Sequence, residues 1–262
     1  MTIYDCFSYW DEDLLLDLRM NILNEYVDYF VIVEGNKTWQ NNDKKLRFKI
    51  DNFAKFKSKI IYIPVSDMPD GDNPYDRENY QRNAILRGLV KAEDEDFIIV
   101  SDLDEIPNPK KIKFFKKSMK YAVFKQMHFY YKINLQSQIN PYWHGSRICL
   151  KKYLKSPQWL RNKRFMRRGF LRRLLFQTQT IDNGGWHFSF LKTPKEIIKK
   201  MESYGHGELS GKTDLQKIEN SIKLKEFFIN PDIKLKKVEI DDTFPSYIKN
   251  NISTFSSWIE EK

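Results

Sequence analysis

Four short apolar runs, at residues 3–9, 29–34, 59–64 and 97–100, are each separated from the next by a stretch carrying helix signals. That alternation leaves few folds open. After the first run Asp11 stands where a helix N-cap belongs, and Leu14, Leu15, Leu18, Ile22 and Leu23 recur on one helical face. After the second run, residues 35–45 are polar and read as loop, and residues 48–56 read as a short helix. After the third, Asn73-Pro74 puts a capping side chain before a proline at the first helical position. The helix it opens carries Tyr80, Ala84, Leu86, Leu89 and Val90 and closes before Glu93-Asp94-Glu95. Strands alternating with helices in this way form a parallel sheet with helices on both faces, so the expected fold class is α/β.

The fourth run ends abruptly in Ser101-Asp102-Leu103-Asp104-Glu105-Ile106-Pro107, and Pro107 is expected to stop the ladder. In extended chain, residues two apart point to the same side, so Asp102 and Asp104 are expected to face together. Paired carboxylates repel unless a cation lies between them. Oxygen-only ligands of this kind suit Mg²⁺ or Mn²⁺ better than zinc or copper. A buried strand that delivers them at its carboxyl end does so where an open α/β sheet places its ligand. An Asp-x-Asp also occurs in solvated turns, so the pair gains its meaning from that position. The dinucleotide fingerprint G-x-G-x-x-G is missing, which argues against a dehydrogenase.

Beyond Pro109 the pattern changes. Residues 121–135, 147–152, 171–177 and 186–190 read as strands separated by loops, a mixed sheet edge whose loops carry Trp143, His144 and Trp159. In Asp182-Asn183-Gly184-Gly185-Trp186-His187 the glycines allow close backbone approach. His187 then either reaches a metal or phosphate or is a hydrogen-bonded core histidine. Thr193-Pro194-Lys195-Glu196 is a capping box, and residues 213–216 read as a second one, so the C-terminus is expected to be helical. Between these helices the loop at 203–211 contains His206 and Glu208. The expected organisation is one domain over 1–240, with a nucleotide-binding half (1–109) and an acceptor-side half (110–240), followed by an extension at 241–262.

A net charge of +10 points to phosphate-rich partners: nucleic acid, an anionic membrane surface or nucleotide-linked substrates. Residues 161–173 hold seven cations, Arg161, Lys163, Arg164, Arg167, Arg168, Arg172 and Arg173. They read as a clamp on a pyrophosphate or anionic acceptor, as a nucleic-acid or lipid patch, or as a solvated face. Cys6 and Cys149, each within an apolar stretch, read as reduced core residues. With no signal peptide and no apolar run near the length of a membrane span, the expectation is a cytoplasmic chain, soluble or peripherally membrane-associated.

Five segments in this order, I-Y-D-C-F-S-Y, V-D-Y-F-V-I-V-E-G-N-K-T, R-E-N-Y-Q-R-N-A-I, S-D-L-D-E-I-P and G-G-W-H-F-S, resemble the family 17 glycosyltransferases. The resemblance runs from about Ile3 to about Asp214. It implies a GT-A-like, Rossmann-type nucleotide-binding sheet, a UDP-sugar donor (UDP-N-acetylglucosamine), Mn²⁺ or Mg²⁺, inversion at the anomeric carbon and a glycan or glycoconjugate acceptor. Carried onto this chain, it makes Asp102 and Asp104 metal ligands, with His187 a third contact. Asp5, Glu34, Thr38, Lys45, Arg82 and Asp102 then border the nucleotide. Inversion also requires a base, for which Glu208 is the first candidate and Glu105 and Asp182 the reserves. Two other classes stay open: a metal-dependent nucleotidyl- or phosphotransferase, and a basic nucleic-acid-binding protein, the latter less favoured.

Overall fold

The computed structural model describes residues 1–163, 177–203 and 214–261. Strands β1 (Ile3–Ser8), β2 (Tyr29–Gly35), β3 (Ile60–Val65) and β4 (Phe97–Asp102) are mutually parallel and lie side by side in the order β3-β2-β1-β4. Helix α1 (Asp13–Leu23) links β1 to β2, and a 3-10 segment (Ile50–Lys59) precedes β3. Helix α2 (Pro74–Asn83) continues as a 3-10 turn (Ala84–Gly88) toward β4, with Asn73 capping it by accepting from the Tyr75 N–H at 3.2 Å.

The continuous apolar character of these strands follows from burial on both faces. Phe7, Phe30, Ile32, Phe97 and Ile99 pack against Leu15, Leu16 and Leu18 of α1. Their alternates Cys6, Val31, Val33, Ile98 and Val100 pack on the other side against Ala84, Ile85 and Leu89. Each such side chain taken fully out of water contributes roughly 1.5–3 kcal/mol, so the two layers hold β1 and β4 rigidly at the centre. Strand order reverses at β1, with β2 on one side and β4 on the other. The crevice this leaves beyond the carboxyl ends is where open α/β sheets bind ligands.

The second half extends the same sheet. The described remainder comprises β5 (Glu105–Pro107), α3 (Pro109–Ile112), β6 (Tyr121–Tyr130), β7 (Leu135–Ser137), β8 (Tyr142–Leu150), α4 (Pro157–Asn162), β9 (Thr178–Ile181) and β10 (Gly185–Ser189). After these come α5 (Pro194–Ser203), α6 (Leu215–Lys223), β11 (Glu226–Phe227), β12 (Asn230–Lys237) and α7 (Ser246–Asn250). Strand β8 pairs antiparallel with β4, and β6, β7, β12 and β11 continue outward, so the edge is mixed. Strand β10 lies parallel to β6 and antiparallel to β5.

Several expectations are corrected. Asp11 does not cap α1: the helix starts at Asp13 with Glu12 before it, and Asp11 instead receives the Lys192 ammonium at 2.6 Å. Pro107 does end the ladder, but only after a further short, unexpected strand. The chain turns at Leu103-Asp104 and Pro107 pairs with Gly185, which is allowed because a short edge strand needs no N–H there. The run 121–135 is two strands, broken where Tyr131 takes a positive φ of 62°. Trp143 and His144 lie on β8 and Trp159 on α4 rather than on loops. The C-terminus is not purely helical. Ile233 and Leu235 alternate with lysines, a period of two, and β12 joins the sheet beside β7. Helix α6 is capped by Asp214, which accepts from the Lys217 N–H at 2.7 Å. The expected strand at 171–177 lies almost wholly outside the described residues, and so do Thr213 and most of the basic cluster. Both cysteines are buried and free. Among the described residues no helix is long and apolar enough to cross a membrane.

Candidate active site

β4 runs out at Asp102, Leu103 and Asp104 form a two-residue turn, and β5 begins at Glu105. This turn is pinned from below by Arg19 of α1, which is fully buried. The Arg19 guanidinium donates to both oxygens of Asp5, at 2.7 and 2.6 Å, and to Ser101 Oγ at 2.5 Å. It also donates to the carbonyls of Asp102, Leu103 and Glu105 at 3.1, 3.1 and 2.8 Å. A buried arginine is tolerated only when its charge and donors are met in this way, and the same contacts fix the path of the acidic turn.

Above the turn the carboxylates have different partners. Asp102 accepts from Arg82 on one oxygen at 3.0 Å and from Arg161 on the other at 2.8 Å. Burial alone would push its carboxyl up, but Arg161 and Arg82 outweigh that and hold it well below the usual carboxylate range. Glu105, 1% exposed, accepts Arg161 on both oxygens at 2.6 and 3.0 Å, the Trp143 indole N–H at 2.8 Å and the Asp102 N–H at 3.2 Å. Four donors fill its four lone-pair directions. Arg161 thus bridges Asp102 to Glu105, and its guanidinium is held even more firmly protonated than usual: burial opposes the charge, but Asp102 and Glu105 more than offset it.

Asp104 sits differently. His187 Nε2 lies 3.5 Å from its Oδ1, and the Lys200 ammonium of α5 lies 3.9 Å from its Oδ2. Burial raises and His187 lowers its carboxyl, with a net shift downward; His187 is shifted upward because Asp104 outweighs its own desolvation. Strand β10 delivers the imidazole: His187 is opposite Glu105 in the β5 pairing, and the Phe188 N–H donates to the Asp104 carbonyl at 2.9 Å. Behind it, His128 stacks on His187 with ring centres 4.6 Å apart, and Ser189 Oγ lies 3.0 Å from His187 Nε2 and 3.4 Å from His128 Nε2. Burial, followed by the charge of His187, pushes the His128 pKa down to about 3.

Two clefts meet at Asp102, Asp104 and Lys200. The first runs over the carboxyl ends of β1, β2 and β4, walled by Trp10, Trp39, Thr38, Gln81 and Arg82. In it the Trp39 indole donates to Gln81 Oε1 at 3.1 Å, and the Trp10 Nε1 is a buried donor without a partner among the described residues. The second lies on the far side of Asp104, against Trp143, His187 and Phe190.

The profile described as Glycosyltransferase family 17 matches residues 1–225. The chain belongs to glycosyltransferase family 17. Among individual proteins, the family 17 chain is 22% identical over 283 residues to the beta-1,4-mannosyl-glycoprotein 4-beta-N-acetylglucosaminyltransferase of Rattus norvegicus, covering 94% of this chain and 52% of that one. The Homo sapiens protein of the same name is 29% identical over 112 residues, 39% of this chain and 21% of its own length. The chain thus spans about half the length, or less, of the curated relatives it matches.

Of the residues singled out in the sequence, Asp102, Asp104, His187 and Arg82 converge on one corner, and Thr38 lines the first cleft. Asp5 lies beneath the site in its ion pair with Arg19. Glu34, fully buried, accepts from Lys44, from the N–H groups of Arg47 and Phe48 at 2.8 and 3.0 Å and from the Tyr62 hydroxyl at 3.0 Å, so it anchors the loop after β2. Lys45 is exposed on that loop. Asp182 is exposed beside Lys125 at 3.6 Å and is absent from the walls of both clefts. Glu208 and His206 lie outside the described residues. Sequence reasoning did not single out Arg19, Lys200, Trp10 or Ser189. Arg19 did leave a signal, since it falls on the helical face of Leu15 and Ile22, where a cation is out of place. Lys200 left none, because its helix is rich in lysines.

Proposed function

We propose that this protein is a metal-dependent, inverting glycosyltransferase of GT-A type that moves a sugar, N-acetylglucosamine by analogy with its relatives, from a UDP-sugar to a glycan hydroxyl. The observation that carries this reading is Asp104 at the mouth of the first cleft, beside the arginine-paired Asp102 and at the carboxyl end of β4. The strand order β3-β2-β1-β4 and the family relationship support it. The aromatic walls of Trp10 and Trp39 suit a nucleobase, with Gln81, Thr38 and the unpaired Trp10 N–H as polar contacts.

The donor set fits a hard divalent ion of a particular kind. Among the described residues no group of three or more His, Cys, Asp and Glu forms a complete cage. Mg²⁺-like ions are commonly held by one or two carboxylates and complete their shell with substrate phosphates and water. Asp104 would hold the ion, with Asp102 and His187 beside it. When bound, it supplies charge neutralisation for the departing diphosphate. The chain's own cations act in the same direction. Arg82 and Lys200 line the donor cleft beside the acidic turn, and in this reading they would take up negative charge as the bond between the anomeric carbon and the diphosphate oxygen breaks and its electron pair leaves with UDP. The acceptor oxygen forms the new bond from the opposite face, and its proton passes to a carboxylate base. Glu208 remains the proposed base, since Glu105 already accepts four hydrogen bonds and Asp182 faces solvent.

The test is UDP release across a panel of nucleotide sugars with Mn²⁺ or EDTA. The reading predicts release from a UDP-sugar that EDTA abolishes. Turnover of a nucleoside triphosphate with no UDP-sugar consumed would replace it with the nucleotidyltransferase reading.

A further inference from the structure

Between β5 and β6, residues 110–120 hold six lysines (Lys110, Lys111, Lys113, Lys116, Lys117 and Lys120) and neither an acidic residue nor an arginine. Two apolar side chains of this segment point inward. Ile112 and Phe115 are buried in the core, with the Phe115 ring 5.3 Å from Phe97. Phe114, which lies between them, is instead 52% exposed. From this lysine cluster around a phenyl ring left in water, we infer that residues 110–120 form a docking surface for an anionic phospholipid bilayer.

The surface is already formed in the free chain. Gln179 of β9 fixes the loop: its Nε2 donates to the Phe114 carbonyl at 2.9 Å, and its Oε1 accepts the Lys116 N–H at 3.0 Å. The ammonium groups of Lys111 and Lys113 lie 4.9 and 5.8 Å from the centre of the Phe114 ring. Such a ring can enter the boundary between headgroups and acyl chains while its lysines stay at headgroup level. Lys110, Lys113, Lys116 and Lys117 are exposed. Among the described residues, the one carboxylate within ion-pair distance of the six lysines is Glu95, 3.7 Å from Lys117 and shared with Lys152. Most of the positive charge is thus left for an outside partner. The absence of arginine favours lipid over nucleic acid. A lysine is a flexible point charge that suits a diffuse layer of headgroups, whereas the planar fork of arginine grips individual phosphates. Phe115 packs at Phe97, the first residue of β4, and Asp102 is the last. The patch therefore lies at the amino edge of the sheet, and none of residues 110–120 lines either cleft.

Co-sedimentation of the full chain with vesicles tests this. The vesicles are phosphatidylcholine alone or mixed with phosphatidylglycerol, at about 0.1 M and about 1 M salt, where screening lengths are about 10 and 3 Å. Binding is expected to the mixed vesicles at the lower salt, and to fall about tenfold or more at the higher salt or without phosphatidylglycerol. Each lysine beside an anionic surface is worth roughly fivefold in affinity, so Lys110→Gln/Lys113→Gln is expected to weaken binding about tenfold or more. Phe114→Ser is expected to weaken it about fivefold. Lys49→Gln/Lys57→Gln removes the same charge from exposed positions before and within the 3-10 segment that leads to β3, and is expected to stay within about twofold of wild type. All of these substitutions are at exposed side chains, and thermal unfolding checks that the variants fold. Four results overturn the inference. Wild type binds the mixed vesicles no better than phosphatidylcholine alone; either patch variant stays within twofold of wild type; or the Lys49/Lys57 pair loses as much as the Lys110/Lys113 pair, which makes net charge the cause. The fourth is a random-sequence oligonucleotide that binds more tightly than the mixed vesicles and loses affinity in Lys110→Gln/Lys113→Gln, which gives the patch to nucleic acid.

Discussion

Asp102 and Asp104 stand two residues apart and are electrostatically unequal, because the first has an arginine on each oxygen and the second faces a histidine and a more distant lysine. Beneath both, Arg19 carries the heaviest structural role. Arg19→Met is expected to strand the Asp5 carboxylate without its partner and to lower stability by about 3–5 kcal/mol in urea unfolding. A loss under 1 kcal/mol would show that the turn holds itself. His128 gives a pH prediction. In the unfolded chain its pKa is about 6.5, and in the fold it falls to about 3. Between those values the unfolded state binds a proton that the folded state refuses, so stability falls as pH falls, by up to about 1.4 kcal/mol per unit. The raised pKa of His187 acts elsewhere: its contribution is complete below the unfolded value and is lost as pH rises through the folded one. Wild-type stability is therefore expected to decline relative to His128→Gln between pH 6.5 and 4, and a pH-independent difference would contradict this.

At the scale of elements, β5 and β10 form the device that aims His187. Gly185 makes it possible with a φ of +133°, and a Cβ there would lie 2.1 Å from the Ile106 carbonyl oxygen. Gly185→Ala is expected to destabilise the fold by more than about 1 kcal/mol, read by thermal unfolding, and to cost activity as well. Unchanged unfolding and UDP release would mean the pairing does not aim the imidazole. This scale also shows what could be read from the residues. The first four strands and the Asn73 cap were legible because full burial writes continuous apolar runs and capping chemistry is local. The turn at Leu103-Asp104 was not, since β5 is held by β10, about 80 positions away, and no local pattern encodes that partner. Asp5 and Glu34 misled for a related reason: a carboxylate at a strand that leads to the site looks the same whether it meets a ligand or a buried cation.

The described strands form one sheet, and the chain after residue 240 packs back onto it. Phe244, Ile248 and Phe255 are buried in the core that includes α1, and the chain near 258–260 bonds back to Ile133 and Asn134 at 2.8 and 2.7 Å. The segment after 240, read from sequence as an extension, closes this layer even though the family match ends at 225. A chain ending at residue 240 is expected to lose cooperative unfolding, checked by calorimetry. A sharp transition near that of the full chain would contradict that role. The central claim is that Asp104 holds a divalent ion jointly with the donor's phosphates. Calorimetric titration of Mn²⁺ into wild type and Asp104→Asn, each with and without UDP, measures it most directly. The account predicts strong binding only when UDP and Asp104 are both present. Mn²⁺ binding that is indifferent to UDP, or undiminished in Asp104→Asn, would contradict it.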